Sequence, residues 1–325
     1  MRFLLTGGAG FIGSHMADLL VGRGDDVTAL DDISTGTVDN VEELLPHPRF
    51  QLVEGSVLDA DTVRPLVAEA DVVVHLAAAV GVRLIIDQPL KSLLTNVRGT
   101  EVVLEACAAL GRRVLITSTS EIYGKSAVQP LHEDADRVLG SPFVARWSYS
   151  TSKAVDEILA HAYWEDRNTP TIVARLFNCV GPRQRGEFGM VLPTFVRAAL
   201  RGDPLIVHGT GEQRRSFCHV ADTVAGLVSL LDHPDSPGRP YNVGAWNEVT
   251  IRRLAELVVE RTDSSSPIQV VPYDEAYVRG FEDMERRLPD ITRICDLTGW
   301  QPSRSLDDIV GDVIAFERSK SEAAA

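Results

Sequence analysis

Residues 3–13 read Phe3-Leu4-Leu5-Thr6-Gly7-Gly8-Ala9-Gly10-Phe11-Ile12-Gly13. An apolar run passes into a turn with glycines at its first, fourth and seventh positions, and residues 13–22 continue at helical spacing. Strand, glycine turn and helix in that order make an anion cradle. Without side chains in the way, the backbone approaches a pyrophosphate closely, and the free N–H groups of a helix N-terminus favour its charge. Placement between strand and helix lifts this pattern above an ordinary tight turn. Roughly 20 residues later Asp31 ends a second apolar run, where a carboxylate accepts hydrogen bonds from ribose hydroxyls and repels a 2′-phosphate. Gly7, Gly10, Phe11, Ile12, Gly13 and Asp31 are therefore expected to hold NAD rather than NADP. Asp32 either shares that role or caps the following turn.

Further along the chain, short β-branched runs at 26–30, 50–54, 72–76, 114–118 and 171–176 alternate with helical stretches at 59–70, 93–110 and 149–165. Such alternation builds βαβ units and a parallel sheet covered on both faces, an α/β doubly wound Rossmann architecture. After Asn178 the order loosens, with Gly181-Pro182-Arg183, Gly202-Asp203-Pro204 and Gly209-Thr210-Gly211 breaking short elements. Helices are expected at 222–231, 250–261 and 306–316, and strands at 241–243 and 268–271. The elements at 250–261, 268–271 and 306–316 belong to a smaller, interleaved C-terminal substrate-binding lobe, and those at 222–231 and 241–243 return to the first part. The expected division is 1–177 with about 214–246 for the NAD-binding part, 178–213 with 247–317 for the second lobe, and a frayed tail over 318–325.

The 325 residues are 44% hydrophobic and 24% charged, with 25 Gly and 17 Pro, which is ordinary globular usage. The net charge of −14 argues against a general nucleic-acid or anionic-membrane surface, since either needs an extended positive field. Any anionic ligand must be gripped by local arginines and helix ends. Cys107, Cys179, Cys218 and Cys295 are widely spaced, without a C-x-x-C pair or zinc-like His pattern, so no metal is expected. No apolar run approaches the ~18 residues of a membrane span, and the N-terminus carries no secretory pattern. A soluble cytoplasmic protein is the expectation.

Tyr149 and Lys153 stand four apart in a helical stretch, so both project from one face. A nearby ammonium favours the phenolate and lowers the phenol toward a value useful to a general base. With the glycine turn and Asp31, this pair resembles the extended short-chain dehydrogenase/reductase superfamily, in which it serves to oxidise a substrate alcohol with bound NAD. The resemblance runs through nearly the whole chain. His75-Leu76-Ala77-Ala78 resembles the superfamily's segment beside the cofactor, and Asn96 matches its structural asparagine. Ser56 and Val57 fall where relatives meet adenine, although many relatives carry Asp at the Ser56 position. Asn178 with Gly181-Pro182-Arg183 looks like the substrate-edge loop. Gly209-x-Gly211-x-Gln213-x-Arg215-x-Phe217 resembles the diphosphate loop of the nucleotide-sugar branch, which implies that Arg215 grips phosphates, a bidentate task suited to a guanidinium.

Two segments bear on the reaction. Thr117-Ser118-Thr119-Ser120-Glu121-Ile122-Tyr123-Gly124 resembles the Thr-Ser-Glu-x-Tyr-Gly segment of UDP-glucuronic acid decarboxylases, which GDP-mannose dehydratases share in part. Arg287-Leu288-Pro289-Asp290-Ile291 resembles the decarboxylases' arginine segment facing the glucuronyl group. The resemblance implies Tyr149, Lys153, Thr119, Ser120, Glu121 and Arg287 as catalytic residues. It implies oxidation at C4, loss of carbon dioxide and re-reduction to UDP-xylose, with escape of UDP-4-keto-xylose if the pocket opens early. A second reading comes from Ala79-Val80-Gly81-Val82-Arg83 and Pro182-Arg183-Gln184-Arg185, which resemble UDP-glucuronic acid 4-epimerases and would place Arg83, Arg183 and Arg185 on the substrate. An NDP-hexose 4,6-dehydratase and a non-catalytic NAD-binding protein are further alternatives. Relatives also pair through a four-helix bundle. That implies a homodimer here through 100–110 and 149–165, where Val102, Val103, Ala106 and Leu110 form an apolar stripe.

Overall fold

The computed structural model describes residues 1–81, 88–144, 146–186, 190–272 and 284–323. Strands β1 (Arg2–Thr6), β2 (Asp26–Asp31), β3 (Phe50–Glu54), β4 (Val72–His75), β5 (Arg113–Thr119) and β6 (Thr171–Leu176) form a sheet with a last strand, Pro240–Val243. Among the described residues it has seven strands in the order β3-β2-β1-β4-β5-β6 followed by Pro240–Val243, and every neighbouring pair is parallel. Helices α1 (Phe11–Gly22), α2 (Ala60–Glu69), α3 (Pro89–Leu110) and α4 (Arg146–Arg167) supply crossovers.

Burial explains why these strands are apolar throughout rather than alternating. Phe3 and Leu5 join the core on one face with Met16 and Leu20 of α1, whereas Leu4 points into the opposite core with Val103 and Leu104 of α3. Val72 and Val74 divide from Val73 in the same way. A strand buried on both faces has no use for a polar side.

A further core joins helices Val191–Arg201, Ile251–Thr262 and Leu306–Ala323 through Phe195, Val196, Leu254, Val258, Ile309 and Val313. The last helix runs on to Ala323, into the segment expected as a tail from 318. Glu317 is buried and lies 3.6 Å from Arg197, while the Ser319 and Ser321 hydroxyls donate to carbonyls of the preceding turn. Polar residues that read as a loose end thus face backbone acceptors. Helix α3 begins at Pro89, four residues before the expected start at 93, because a first-turn proline has the right φ and its missing N–H would bond nothing there. The stripe on α3 is also mostly core: Val103 and Ala106 are buried within the chain, and Leu110 is exposed.

Candidate active site

Five of the segments singled out above leave the same, carboxyl-terminal edge of the sheet. The glycine turn follows β1, Asp31 closes β2, residues 76–81 follow β4, the short helix Ser120–Tyr123 follows β5 and Phe177 follows β6. They border one cavity of about 710 Å³, a size suited to a small-molecule site. The order of strands reverses between β1 and β4, where open α/β sheets bind ligands.

The cofactor side is made mainly of backbone. Gly7 has φ +72, and a Cβ there would stand 2.8 Å from the Ala77 nitrogen; one on Gly13 would strike the Gly7 carbonyl. These positions bring β1, α1 and the segment after β4 together more closely than any side chain permits. Around Gly10, by contrast, a Cβ would meet only the Gly7 oxygen, which leaves room for a phosphate over the turn. Asp31 accepts N–H bonds from Ala9 and Ile33, both at 2.9 Å, and so fastens the turn to β2. Burial raises its carboxyl above the usual range against the pull of those N–H donors. Asp32 resolves into a turn cap: its Oδ1 accepts from the Ser34 N–H at 3.0 Å and the Ser34 hydroxyl at 2.5 Å, although it too borders the cavity. The residues present fit a dinucleotide with a free ribose diol.

Phe11, Ile12, Val57, Leu76, Ala77 and Ala78 line this side. Two expected cofactor residues do not. The Ser56 hydroxyl accepts from the Leu58 N–H at 3.2 Å, and its neighbours Gly55 and Val57 border the cavity instead. Asn96 holds the wall from outside, with Oδ1 accepting from the Ala79 N–H at 2.8 Å and Nδ2 donating to the Ser152 hydroxyl at 3.2 Å.

Tyr149 and Lys153 on α4 both border the cavity. Burial pushes the Tyr149 phenol up, with the charges of Glu121 and Asp156 adding to the effect. Lys153 Nζ donates at 3.1 Å to Asp156 Oδ2, and both side chains are almost wholly buried. Beneath them His75 is buried as a neutral ring: desolvation, helped by Lys153, lowers it to about 3.

The opposite side is made of side chains from distant parts of the chain. Glu121 Oε1 lies 3.5 Å from Arg287 Nη1, both largely shielded from solvent. The Ser150 hydroxyl bonds the Glu121 carbonyl at 2.8 Å, and Thr119 Oγ1 accepts the Glu121 N–H at 3.2 Å, leaving the threonine hydrogen free to donate. Ser120 also borders the cavity. Arg287 pairs in parallel register with Arg215, whose Nη1 donates to the Arg214 and Glu285 carbonyls. Asn178 borders the cavity while its amide donates to the Ser216 carbonyl at 2.8 Å. Arg183 reaches the rim but forms a 2.6 Å ion pair with Asp18 of α1, and Arg185 donates to the Thr35 carbonyl at 3.3 Å. Arg83 lies outside the described residues.

Sequence reasoning missed Lys91 and Ser92 at the start of α3, and the apolar wall of Phe195, Ile206 and Ile251 beyond Arg215. Isolated polar residues on a helix and apolar residues in a second core carry no motif. Asp156 was also missed; an acid three residues after Lys153 on the buried face of α4 was its one available signal.

The family described as GDP-mannose 4,6 dehydratase matches residues 4–313. The chain is 37% identical over 318 residues to the UDP-N-acetyl-alpha-D-glucosaminuronate decarboxylase of Bacillus cytotoxicus, covering 98% of each. It is 37% identical to UDP-glucuronic acid decarboxylase 1 of Danio rerio, covering 97% of this chain and 72% of that protein. Among solved structures, the UDP-glucuronic acid 4-epimerase of Bacillus cereus, in complex with UDP-glucuronic acid and NAD, superposes with a TM-score of 0.88 at 26% identity, over 98% of this chain and 100% of the other.

Proposed function

The chain belongs to the GDP-mannose 4,6 dehydratase family, within the extended short-chain dehydrogenases/reductases, and from that membership and its site we propose an NAD-dependent UDP-glucuronic acid decarboxylase, a carboxy-lyase forming UDP-xylose. The observation that carries this reading is the Glu121–Arg287 pair set in the same cavity as Tyr149 and Lys153. A uronate brings a carboxylate on C5, beside the C4 hydroxyl to be oxidised. Arg287 supplies its counter-charge and Glu121 fixes the guanidinium and an ordered water.

NAD, held there, would supply the reversible hydride acceptor that oxidation and re-reduction at C4 require. The Gly7–Gly13 turn and Asp31 hold its pyrophosphate and ribose, and Arg215 with Asn178 grips the sugar nucleotide. Tyr149 takes the C4 hydroxyl proton, while Thr119 or Ser120 donates to the same oxygen. Once C4 is a ketone, the carboxylate is β to it; carbon dioxide leaves with the proton-bearing Tyr149 stabilising the enolate oxygen. C5 is then protonated and C4 reduced, or UDP-4-keto-xylose departs early with NADH. A 4,6-dehydratase must protonate a departing C6 hydroxyl, and Ser120 is a poor acid for that task.

Incubating the protein with NAD and, separately, UDP-glucuronic acid and UDP-N-acetylglucosaminuronic acid, with carbon dioxide captured, tests the proposal. Release from the first supports it. Release from the second alone would move the activity to that of the Bacillus cytotoxicus relative, and an unchanged mass with galacto-type couplings would make this a 4-epimerase. We also propose a homodimer in the cytoplasm. Leu110 on α3 and Ile158 on α4, 43% and 64% exposed, are apolar positions left for a four-helix contact, and no helix among the described residues is long and apolar enough to cross a membrane. Sedimentation showing monomer alone at low micromolar concentration would remove the dimer.

A further inference from the structure

Glu121 and Arg287 reach the cavity on segments from distant parts of the chain, and one buried amide ties those segments together. Asn242, on the outermost strand Pro240–Val243, is completely shielded and does not border the cavity. Its Oδ1 accepts from the Tyr123 hydroxyl at 2.7 Å, and Tyr123 closes the short helix that carries Glu121. Its Nδ2 donates to the Leu131 carbonyl at 2.8 Å and to the Asp290 carbonyl at 3.0 Å. Leu131 is itself laced to the arginine's segment: its N–H donates to the Leu288 carbonyl and its carbonyl accepts the Asp290 N–H, both at 2.8 Å. Gln129 brackets Arg287 directly, with Oε1 accepting the Leu288 N–H at 3.0 Å and Nε2 donating to the Arg286 carbonyl at 3.2 Å.

The direction of each bond to the Asn242 side chain is fixed. A guanidinium only donates, so Arg175 Nη1, at 2.9 Å, makes the Tyr123 oxygen an acceptor and sends the phenol hydrogen to Asn242. Arg175 is held in turn by Glu157 at 2.7 Å and by the Glu133 carbonyl at 2.6 Å. Turning the Asn242 amide over would set its oxygen against two carbonyls. The amide oxygen and both amide hydrogens are therefore used, and the Asn242 backbone N–H donates to Glu133 Oε1 at 2.9 Å. A buried network satisfied in this way admits one geometry.

We propose that Asn242 is a positioning residue that fixes Glu121 and Arg287 relative to one another, and so holds the substrate carboxylate at the angle from which carbon dioxide leaves. The inference rests on the carboxylate-binding role given to that pair above. When the bond from C5 to the carboxylate breaks, its electron pair enters the C4 ketone and forms the enolate, so that bond must stand across the ketone plane. Removal of hydride from C4 makes no such demand on the carboxylate. Loosening the strap therefore slows carbon–carbon cleavage and spares the redox step.

The test compares wild type with three variants. Asn242→Leu keeps the volume without the amide, Tyr123→Phe frees the Glu121 side of the strap, and Gln129→Ala frees the Arg287 side. In single turnovers with NAD and UDP-glucuronic acid, NADH absorbance reads oxidation and trapped carbon dioxide reads cleavage. Asn242→Leu should slow cleavage about thirtyfold while oxidation stays within about twofold of wild type. Tyr123→Phe and Gln129→Ala should each slow cleavage about fivefold in the same pattern. Gln129 is only half-buried, so its variant decides the matter if Asn242→Leu does not fold. Equal slowing of both steps, or of neither, in the folded variants would reduce Asn242 to a member of the core. Absence of carbon dioxide from wild type would instead overturn the decarboxylase reading. Calorimetry on NAD-loaded protein still reads the strap in that case: preference for UDP-glucuronic acid over UDP-glucose should fall about tenfold in Asn242→Leu, and a preference equal to wild type would overturn the proposal.

Discussion

The two sides of the cavity are built by opposite means. On the cofactor side, recognition comes from backbone geometry: a Cβ on Gly7 or Gly13 would collide with neighbouring main chain, and Asp31 ties the turn to β2 by accepting the Ala9 N–H while its other oxygen accepts from Ile33. On the sugar side it comes from side chains brought together over long sequence distances, above all Glu121 after β5 and Arg287 beside Arg215. The backbone side is intolerant of any added atom, whereas the side-chain side is altered by exchanging a few groups. A fold of this kind keeps its redox chemistry and changes what happens to the oxidised sugar.

Substitutions on either side separate these contributions. Tyr149→Phe, at the junction of the two, should lower turnover by about a thousandfold while NAD still binds with near wild-type affinity in calorimetry. A joint loss of binding and turnover would show that the phenol belongs to the cofactor cradle. Arg287→Ala should cost about a hundredfold in kcat/KM, since it removes the counter-charge of the substrate carboxylate and strands Glu121. Arg287→Lys should recover only part of this, because a point charge replaces a fork. Asp31→Asn touches the other side alone: NAD affinity should fall about tenfold and discrimination against NADP should narrow, with KM for the sugar nucleotide unchanged. If both sides lose affinity together, the division into two independent halves is wrong.

The smallest effect concerns the floor shared by both. His75 sits at about 3 against an ordinary 6.5. The unfolded chain therefore takes up a proton that the folded chain refuses. Stability from this group is complete above pH 6.5 and drains away as pH falls toward about 3. Denaturant titrations of His75→Gln across that window should show a flatter fall than wild type; an identical slope would mean that the ring opens to solvent before it charges.

The same contrast explains how much was legible in the sequence. The glycine turn, Asp31 and the Tyr149–Lys153 spacing are local patterns, and each arrives at the cavity where its spacing puts it. The strands were legible because burial on both faces makes them continuously apolar. What escaped depends on tertiary partners. That Glu121 meets Arg287, and that Phe195, Ile206 and Ile251 wall the same cavity, is decided by neighbours that no local pattern names.

The central claim is that the cavity strips carbon dioxide from an oxidised uronate, and a single reaction in deuterium oxide tests it. With UDP-glucuronic acid and NAD, the product read by mass and proton NMR should be a UDP-pentose lacking one carbon dioxide. It should carry one deuterium at C5, where the enolate is protonated from solvent, and ordinary hydrogen at C4, where the original hydride returns. A product of unchanged mass, inverted at C4 and free of deuterium, would contradict the claim and show that Glu121 and Arg287 hold the carboxylate in place rather than release it.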